Sequence, residues 1–157
     1  MIYSLPRSIR NWIILAGFCL AASPALADSK PEELKVHAQL IWGTNEDKAP
    51  DPSYKAVDPK LAKKLENVFK WKNYFQVKHE SASVLLNKAK RVKLSSKCEV
   101  EITNYGKSNI EAKLFGEGKF MVRKRQTISA GETLLLGGDA KDGNAWFVVL
   151  TAPSPKN

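Results

Sequence analysis

The chain is poor in cysteine and carries no recognisable catalytic signature. It has two cysteines in 157 residues, Cys19 and Cys98. The Gly-x-Ser-x-Gly nucleophile motif is absent, and neither histidine has a serine or cysteine as its chain neighbour. N-x-[ST] glycosylation sequences are also absent, which favours a bacterial envelope over a eukaryotic secretory route. The sequence therefore supports no particular reaction class.

The N-terminal segment has the layout of a secretory signal peptide. Arg7 and Arg10 are the only charged residues before Asp28, and an apolar run, residues 12–22, follows them. The segment ends on Ala25-Leu-Ala27, with small residues at the −3 and −1 positions of the expected cut. We expect cleavage after Ala27, so that residues 1–27 are a cleavable signal peptide.

Two alternatives for this segment are disfavoured. A membrane anchor needs roughly 20 apolar residues to cross a bilayer as a helix, and residues 12–22 are too few. A lipoprotein cut just before Cys19 needs a small residue ahead of the cysteine, where bulky Phe18 stands. We therefore expect an exported product, periplasmic or secreted.

Cleavage would leave a basic domain with one cysteine. The whole chain has a net charge of +9, and the signal segment removes two arginines and no acidic residue, which leaves +7. This excess indicates either a solvated lysine-rich surface or attraction to an anionic glycan, lipid or nucleic acid. With Cys98 alone, the monomer forms no internal disulfide and depends on its hydrophobic core.

Alternating apolar and polar residues predict a single β-rich domain over residues 34–151. A disordered leader (28–33) precedes it, and a frayed tail (152–157) follows. Strands at roughly eight-to-twelve-residue intervals, joined by Gly and Asn turns, predict antiparallel pairing in a β-sandwich or open barrel. The predicted strands cover residues 34–42, 73–79 with 82–86 (as one or two strands), 91–94, 97–102, 109–115, 119–123, 133–136 and 145–150.

One amphipathic helix is expected to pack on this sheet. Asp58 is a suitable N-cap, and Pro59 suits the first helical position because its missing N–H would have no partner there. A surface loop over residues 43–58 precedes it. The helix is predicted to have about three turns, with an apolar stripe at helical spacing. The stripe consists of Leu61, Leu65, Val68 and Phe69.

The residue patterns predict no metal or cofactor. His37, His79 and Cys98 match no zinc-finger spacing, and Cys98 falls in an inward-facing apolar row. The segment Phe115–Lys119 is predicted to be a hairpin turn instead of a phosphate loop. In the stretch Gly137–Asn144, a lysine occupies a position where a calcium loop needs an acceptor, so we predict turns there.

Two basic segments form the candidate binding surface. In Phe69–Phe75, four aromatic residues are interspersed with lysines; this composition suits a helix–sheet core or, alternatively, a stacking platform. In Arg123–Arg125, Lys124 would point inward, so a bulge or an exposed, charged edge strand is expected. The candidate residues are Lys70, Trp71, Lys72, Tyr74, Arg123 and Arg125.

The mature chain resembles a family of small exported bacterial proteins of uncharacterised activity. The resemblance spans roughly residues 34 to 150 and implies a shared β fold and export, without any active-site residue. The stretches that carry it are Ile41–Thr44, Phe69–Phe75, Gly116–Gly118, Lys124–Gln126, Gly137–Asp139 and Ala145–Leu150.

Three functional hypotheses follow. The leading one is a non-catalytic envelope module that contacts another envelope protein by strand addition at an open sheet edge. The second is a basic domain that binds an anionic glycan, lipid or nucleic acid, although no specific nucleic acid is predicted. The third is a small envelope hydrolase that uses carboxylates or His79. In none of these does the mature chain carry a transmembrane segment.

Overall fold

The computed structural model describes residues 32–139 and 142–153. The predicted signal peptide, most of the predicted leader and the last four residues of the predicted tail lie outside these ranges. The described residues form nine β-strands and one helix. They are β1 (Glu33–Thr44), β2 (Lys55–Ala56), α1 (Pro59–Glu66), β3 (Asn73–Leu85), β4 (Ala89–Lys93), β5 (Cys98–Asn104), β6 (Asn109–Gly116), β7 (Lys119–Thr127), β8 (Thr133–Asp139) and β9 (Ala145–Thr151).

The strands pair into two antiparallel sheets. The larger sheet has the order β2-β3-β1-β9-β8, and the smaller has the order β4-β5-β6-β7. Val36 and Leu150 from the larger sheet share one buried cluster with Val100 and Leu114 from the smaller sheet. The two sheets therefore stack face to face as a β-sandwich, which confirms the predicted mainly β fold.

The predicted inward row on the smaller sheet is confirmed. Strand β5 alternates between buried and half-buried residues along its whole length, and β6 does so from Asn109 to Phe115. Because successive side chains of a strand point to opposite faces, this alternation buries one face against the larger sheet. The buried apolar members are Cys98, Val100, Ile102, Ile110, Ala112 and Leu114.

The helix begins where the sequence predicts. One carboxylate oxygen of Asp58 accepts hydrogen bonds from the backbone N–H groups of Lys60 (3.0 Å) and Leu61 (3.3 Å). Leu61 and Leu65 are buried with Phe147 and Val149. Their positions place α1 on the outer face of the larger sheet, over a second apolar cluster.

The helix is shorter than the predicted three turns. It ends at Glu66, and Val68 is 63% exposed, so Val68 does not belong to the buried stripe. Phe69 reaches the core by another route, because the chain turns after α1 and brings its ring to 4.3 Å from that of Phe147. The helical spacing of apolar residues in the sequence therefore extends beyond the last residue of the helix itself.

Several predicted boundaries are corrected. Glu33, assigned to the leader, belongs to β1. Residues 73–85, for which the sequence left one or two strands open, form one strand. Lys55–Ala56, inside the predicted loop, pairs with β3. Strand β8 continues through Gly137–Asp139, where turns were predicted. Ala152, assigned to the tail, is buried, and its carbonyl accepts a hydrogen bond from the N–H of Gly131 at 2.9 Å.

Within the two described ranges, no helix combines the length and the apolar character that a membrane span requires.

Candidate binding surfaces

Of the aromatic part of the predicted binding surface, Tyr74 lies in the core and Trp71 is half-buried against it. Tyr74 is 6% exposed, and Trp71 packs edge-on against Phe147 with ring centroids 5.4 Å apart. The indole N–H of Trp71 donates to the carbonyl of Gly143 at 2.8 Å, which fixes the ring. The prediction of Tyr74 as an accessible contact residue is therefore wrong, because helix docking on the sheet buries it.

Burial also keeps the Tyr74 phenol neutral. Its pKa is raised above the ordinary tyrosine value, mainly by burial and further by the negative charge of Glu66. Of this first segment, Lys70 and Lys72 remain exposed. The Lys70 ammonium nitrogen lies 5.8 Å from the centroid of the Trp71 ring, a cation–π distance.

The second basic segment lies on β7, an edge strand of the smaller sheet. Strand β7 pairs with β6 alone among the described strands. The β6–β7 register shifts between Leu114 and Phe115, opposite the stretch that contains Met121. Both the bulge and the exposed edge expected near Arg123–Arg125 are therefore present.

Lys124 occupies an inward position that the larger sheet does not cover. Its Cα partner on β6 is Ala112, which is fully buried, whereas Lys124 is exposed. An inward-pointing charge on an edge strand is one of the devices that limit uncontrolled pairing between sheets.

Three consecutive apolar side chains of β7 are exposed to solvent. Phe120 is 59% exposed, Met121 46% and Val122 36%. The ring of Phe120 meets that of Phe115 edge-on at 6.1 Å, and the side chain of Met121 lies over Gly116. This apolar segment stands directly before the basic residues 123–125.

A network of charges covers the neighbouring outer face of the smaller sheet. Glu101 accepts from Lys113 (3.1 Å) and from Arg91 (3.1 Å), and Lys113 also lies 3.7 Å from Glu111. The pKa of Glu101 is lowered, mainly by the hydrogen bond from Lys113, and that bond in turn raises the pKa of Lys113. The Glu101 carboxylate therefore stays ionised and paired, which suits it to structure more than to proton transfer.

The two predicted arginines of β7 differ in how firmly they are held. Arg125 stacks on Tyr105 with its guanidinium carbon 3.9 Å from the ring centroid, and its Nε donates to Asn109 at 3.2 Å. Arg123 approaches Glu111 only to 4.0 Å and is exposed. Arg123 is therefore the cation of this pair that is free to meet a partner.

The predicted hairpin at Phe115–Lys119 is confirmed, since it joins β6 to β7. Glu117 and Gly118 both have positive φ, 50° and 77°, as a tight two-residue hairpin requires. Asp139 and Asp142, which belong to the stretch where turns were predicted instead of a calcium loop, flank residues 140 and 141, which lie outside the described ranges. Cys98 lies between the sheets, far in the fold from the two histidines, which meet on the outer face of the larger sheet.

Sequence reasoning missed an aromatic cleft at one end of the sandwich. Trp42 and Trp146 are Cα partners on β1 and β9, and with Tyr54 and Val77 they line a cleft of about 270 Å³ above Cys98. Trp42 was placed on an apolar face by its alternation. Its meeting with Trp146 depends on a pairing between strands about a hundred residues apart, which no local pattern reveals.

Comparison with known protein families, with curated proteins and with solved structures finds no match.

Proposed function

We propose that this protein is a non-catalytic envelope module that binds an extended, acidic segment of another envelope protein by strand addition at β7. The observation that carries the proposal is the combination on one edge strand of unpaired backbone, exposed apolar side chains and free positive charge. Export of the mature chain, as the N-terminal pattern predicts, is part of this proposal.

Backbone geometry favours β7 over the other edges. The edge strands of the two sheets are β2, β8, β4 and β7, and β7 is the longest of them at nine residues. Edge backbone offers a row of N–H and C=O groups to an added strand, so a longer edge forms a longer ladder.

Side chains favour β7 as well. In β8, Leu134 and Leu136 are buried, and in β4, Val92 is buried, so these edges present no large exposed apolar residue. In strand addition, the backbone ladder supplies affinity and alternate side chains supply specificity. Phe120 and Met121 are the β7 side chains available for that role.

Charge favours an acidic partner. Strand β7 has four basic residues, Lys119 and 123–125, and no acidic one. Complementary charge accelerates encounter and suppresses wrong partners more than it adds affinity. An extended segment with acidic residues and an apolar anchor therefore matches this edge.

A photo-crosslinking experiment in intact cells tests the proposal. A photoreactive amino acid at Met121 should capture a defined envelope protein, and the same amino acid at Lys90, on the opposite edge strand β4, is the matched control. Equal capture from both positions would contradict the proposal.

The captured segment then distinguishes strand addition from ionic adhesion. When the segment is added as a synthetic peptide, alternate backbone amides of β7 should become protected from hydrogen exchange. An anionic glycan, lipid or nucleic acid would instead bind with a steep salt dependence, because counterion release drives such contacts, and would leave these amides unprotected.

A further inference from the structure

The only two histidines of the chain lie side by side on the outer face of the larger sheet. His37 on β1 has Ser81 as its Cα partner, and His79 on β3 has Gln39, so the histidines are diagonal neighbours on one face. Nε2 of His79 lies 3.3 Å from Nδ1 of His37, and the ring centroids are 5.3 Å apart. The pairing register of β1 and β3 thus brings together two imidazoles that are 42 residues apart in sequence.

We propose that this pair binds a divalent late first-row metal ion, of the Zn²⁺ or Cu²⁺ class, through Nδ1 of His37 and Nε2 of His79. Two imidazole nitrogens at about 2.0–2.1 Å from one tetrahedral ion are about 3.3 Å apart. The two ring nitrogens already have this separation, so binding requires little movement of either strand.

The surroundings leave room for water to complete the coordination. The pair opens into a depression of about 290 Å³ beside the start of α1, lined also by Thr133 and Thr151. The Ser81 hydroxyl lies 2.9 Å from Nδ1 of His37. When the ion binds, this hydroxyl must either rotate away or become one of its ligands. The Asp58 carboxylate on the rim is already engaged by the helix N-terminus through one oxygen.

The charge of the rim restricts which ions fit. Lys60 and Lys64 line the same depression, so a hard cation such as Mg²⁺ or Ca²⁺, which depends on carboxylate oxygens, is disfavoured. Imidazole ligands suit Zn²⁺, Cu²⁺ and Ni²⁺, whose bonds to nitrogen offset the repulsion. Binding should weaken as pH falls, because protons compete for the same nitrogen lone pairs.

Titration of tag-free protein with Zn²⁺ tests the site. We expect one ion per chain. The affinity for Zn²⁺ should fall by at least about tenfold in His37→Ala and in His79→Ala, because loss of even a residue that only supports a metal ligand costs about that much. Gln39→Ala, on the same face, is the matched control and should keep the wild-type affinity. The thermal midpoint without metal, compared across the variants, confirms that each is folded.

Imidazole ¹⁵N spectra identify the ligand atoms. Since the chain has only two histidines, Zn²⁺ should move Nδ1 of His37 and Nε2 of His79 to the chemical shifts of metal-bound nitrogens, and their other ring nitrogens to the shifts of protonated N–H groups. Unaltered affinity in either histidine variant, or the shifts of metal-bound nitrogens at the other two positions, would overturn the proposal.

Discussion

At the scale of single residues, close packing around Phe147 decides which substitutions the fold tolerates. Two glycines border this ring from different strands, Gly43 on β1 and Gly137 on β8. A Cβ added at Gly43 would lie 2.9 Å from Cε2 of Phe147 and 3.3 Å from Cε1 of Tyr74, whereas one added at Gly137 would be 3.4 Å from Cδ1 of Phe147. The distance of 2.9 Å at Gly43 is a steric overlap, whereas the distance of 3.4 Å at Gly137 is an ordinary contact.

We therefore expect Gly43→Ala to destabilise the protein and Gly137→Ala to be tolerated. Overpacking of this kind costs about 1–3 kcal/mol, because the Phe147 ring must move within a filled cluster. Urea unfolding of both variants measures the difference. Equal free energies of unfolding for the two would contradict the packing described here.

Cys98 is the second residue whose environment affects stability, in this case its dependence on pH. Burial, with a smaller contribution from the negative charge of Glu99, raises the pKa of its thiol from 9.0 to about 11. In the unfolded chain the thiol loses its proton at lower pH, so between pH 9 and 11 the folded state binds more protons than the unfolded state. Stability should therefore fall as pH rises through this window.

The expected loss is on the order of 2 kcal/mol by pH 11, since each pKa unit is worth about 1.4 kcal/mol. Unfolding measured at pH 8 and pH 11 in the wild type and in Cys98→Ala separates the thiol from the lysines and tyrosines that also titrate there. A variant with the same pH dependence as the wild type would show that the thiol is not the cause.

At the scale of elements, the sequence predicted where α1 begins more reliably than where α1 and β7 end. Asp58 and Pro59 predicted the first turn of α1 correctly, because N-capping is a local event between a side chain and the next backbone N–H groups. The predicted end of α1 was wrong. The turn after the helix leaves Val68 exposed and packs Phe69 against an aromatic ring of β9, which is distant in sequence. Strand β7 was predicted to end at Arg123 for a similar reason, since only its edge position allows Lys124 to face inward.

The N-cap provides a test at this scale. Asp58→Ala should lower the free energy of unfolding by about 1 kcal/mol, because two backbone N–H groups lose their acceptor. Asp47→Ala, in the exposed loop after β1, removes the same charge without touching the helix and should be close to neutral. If both variants lose equal stability, net charge rather than capping accounts for the effect.

At the scale of the whole molecule, the β-rich class could be predicted, but the sheet order could not. Alternation identifies strands one at a time, whereas the order β3-β1-β9 joins segments from both ends of the described chain. The cleft at Trp42 and Trp146 depends on the β1–β9 pairing, and the meeting of His37 with His79 depends on the β1–β3 pairing. The edge position of β7 depends on the order β4-β5-β6-β7 of the smaller sheet. The exposed charge of the basic half could be predicted because charge on a strand is visible locally. For the aromatic half, the sequence favoured a helix–sheet core over a stacking platform, and Tyr74 is buried there.

If β7 is an open edge available to a partner, amide hydrogen exchange of the free protein should reveal it. We expect alternation along residues 119–127, with the amides bonded to β6 protected and those on the free side exchanging rapidly, while amides of β5 and β6 exchange uniformly slowly. Uniform protection along β7 in the free protein would show that this edge is already covered and is not open to a partner.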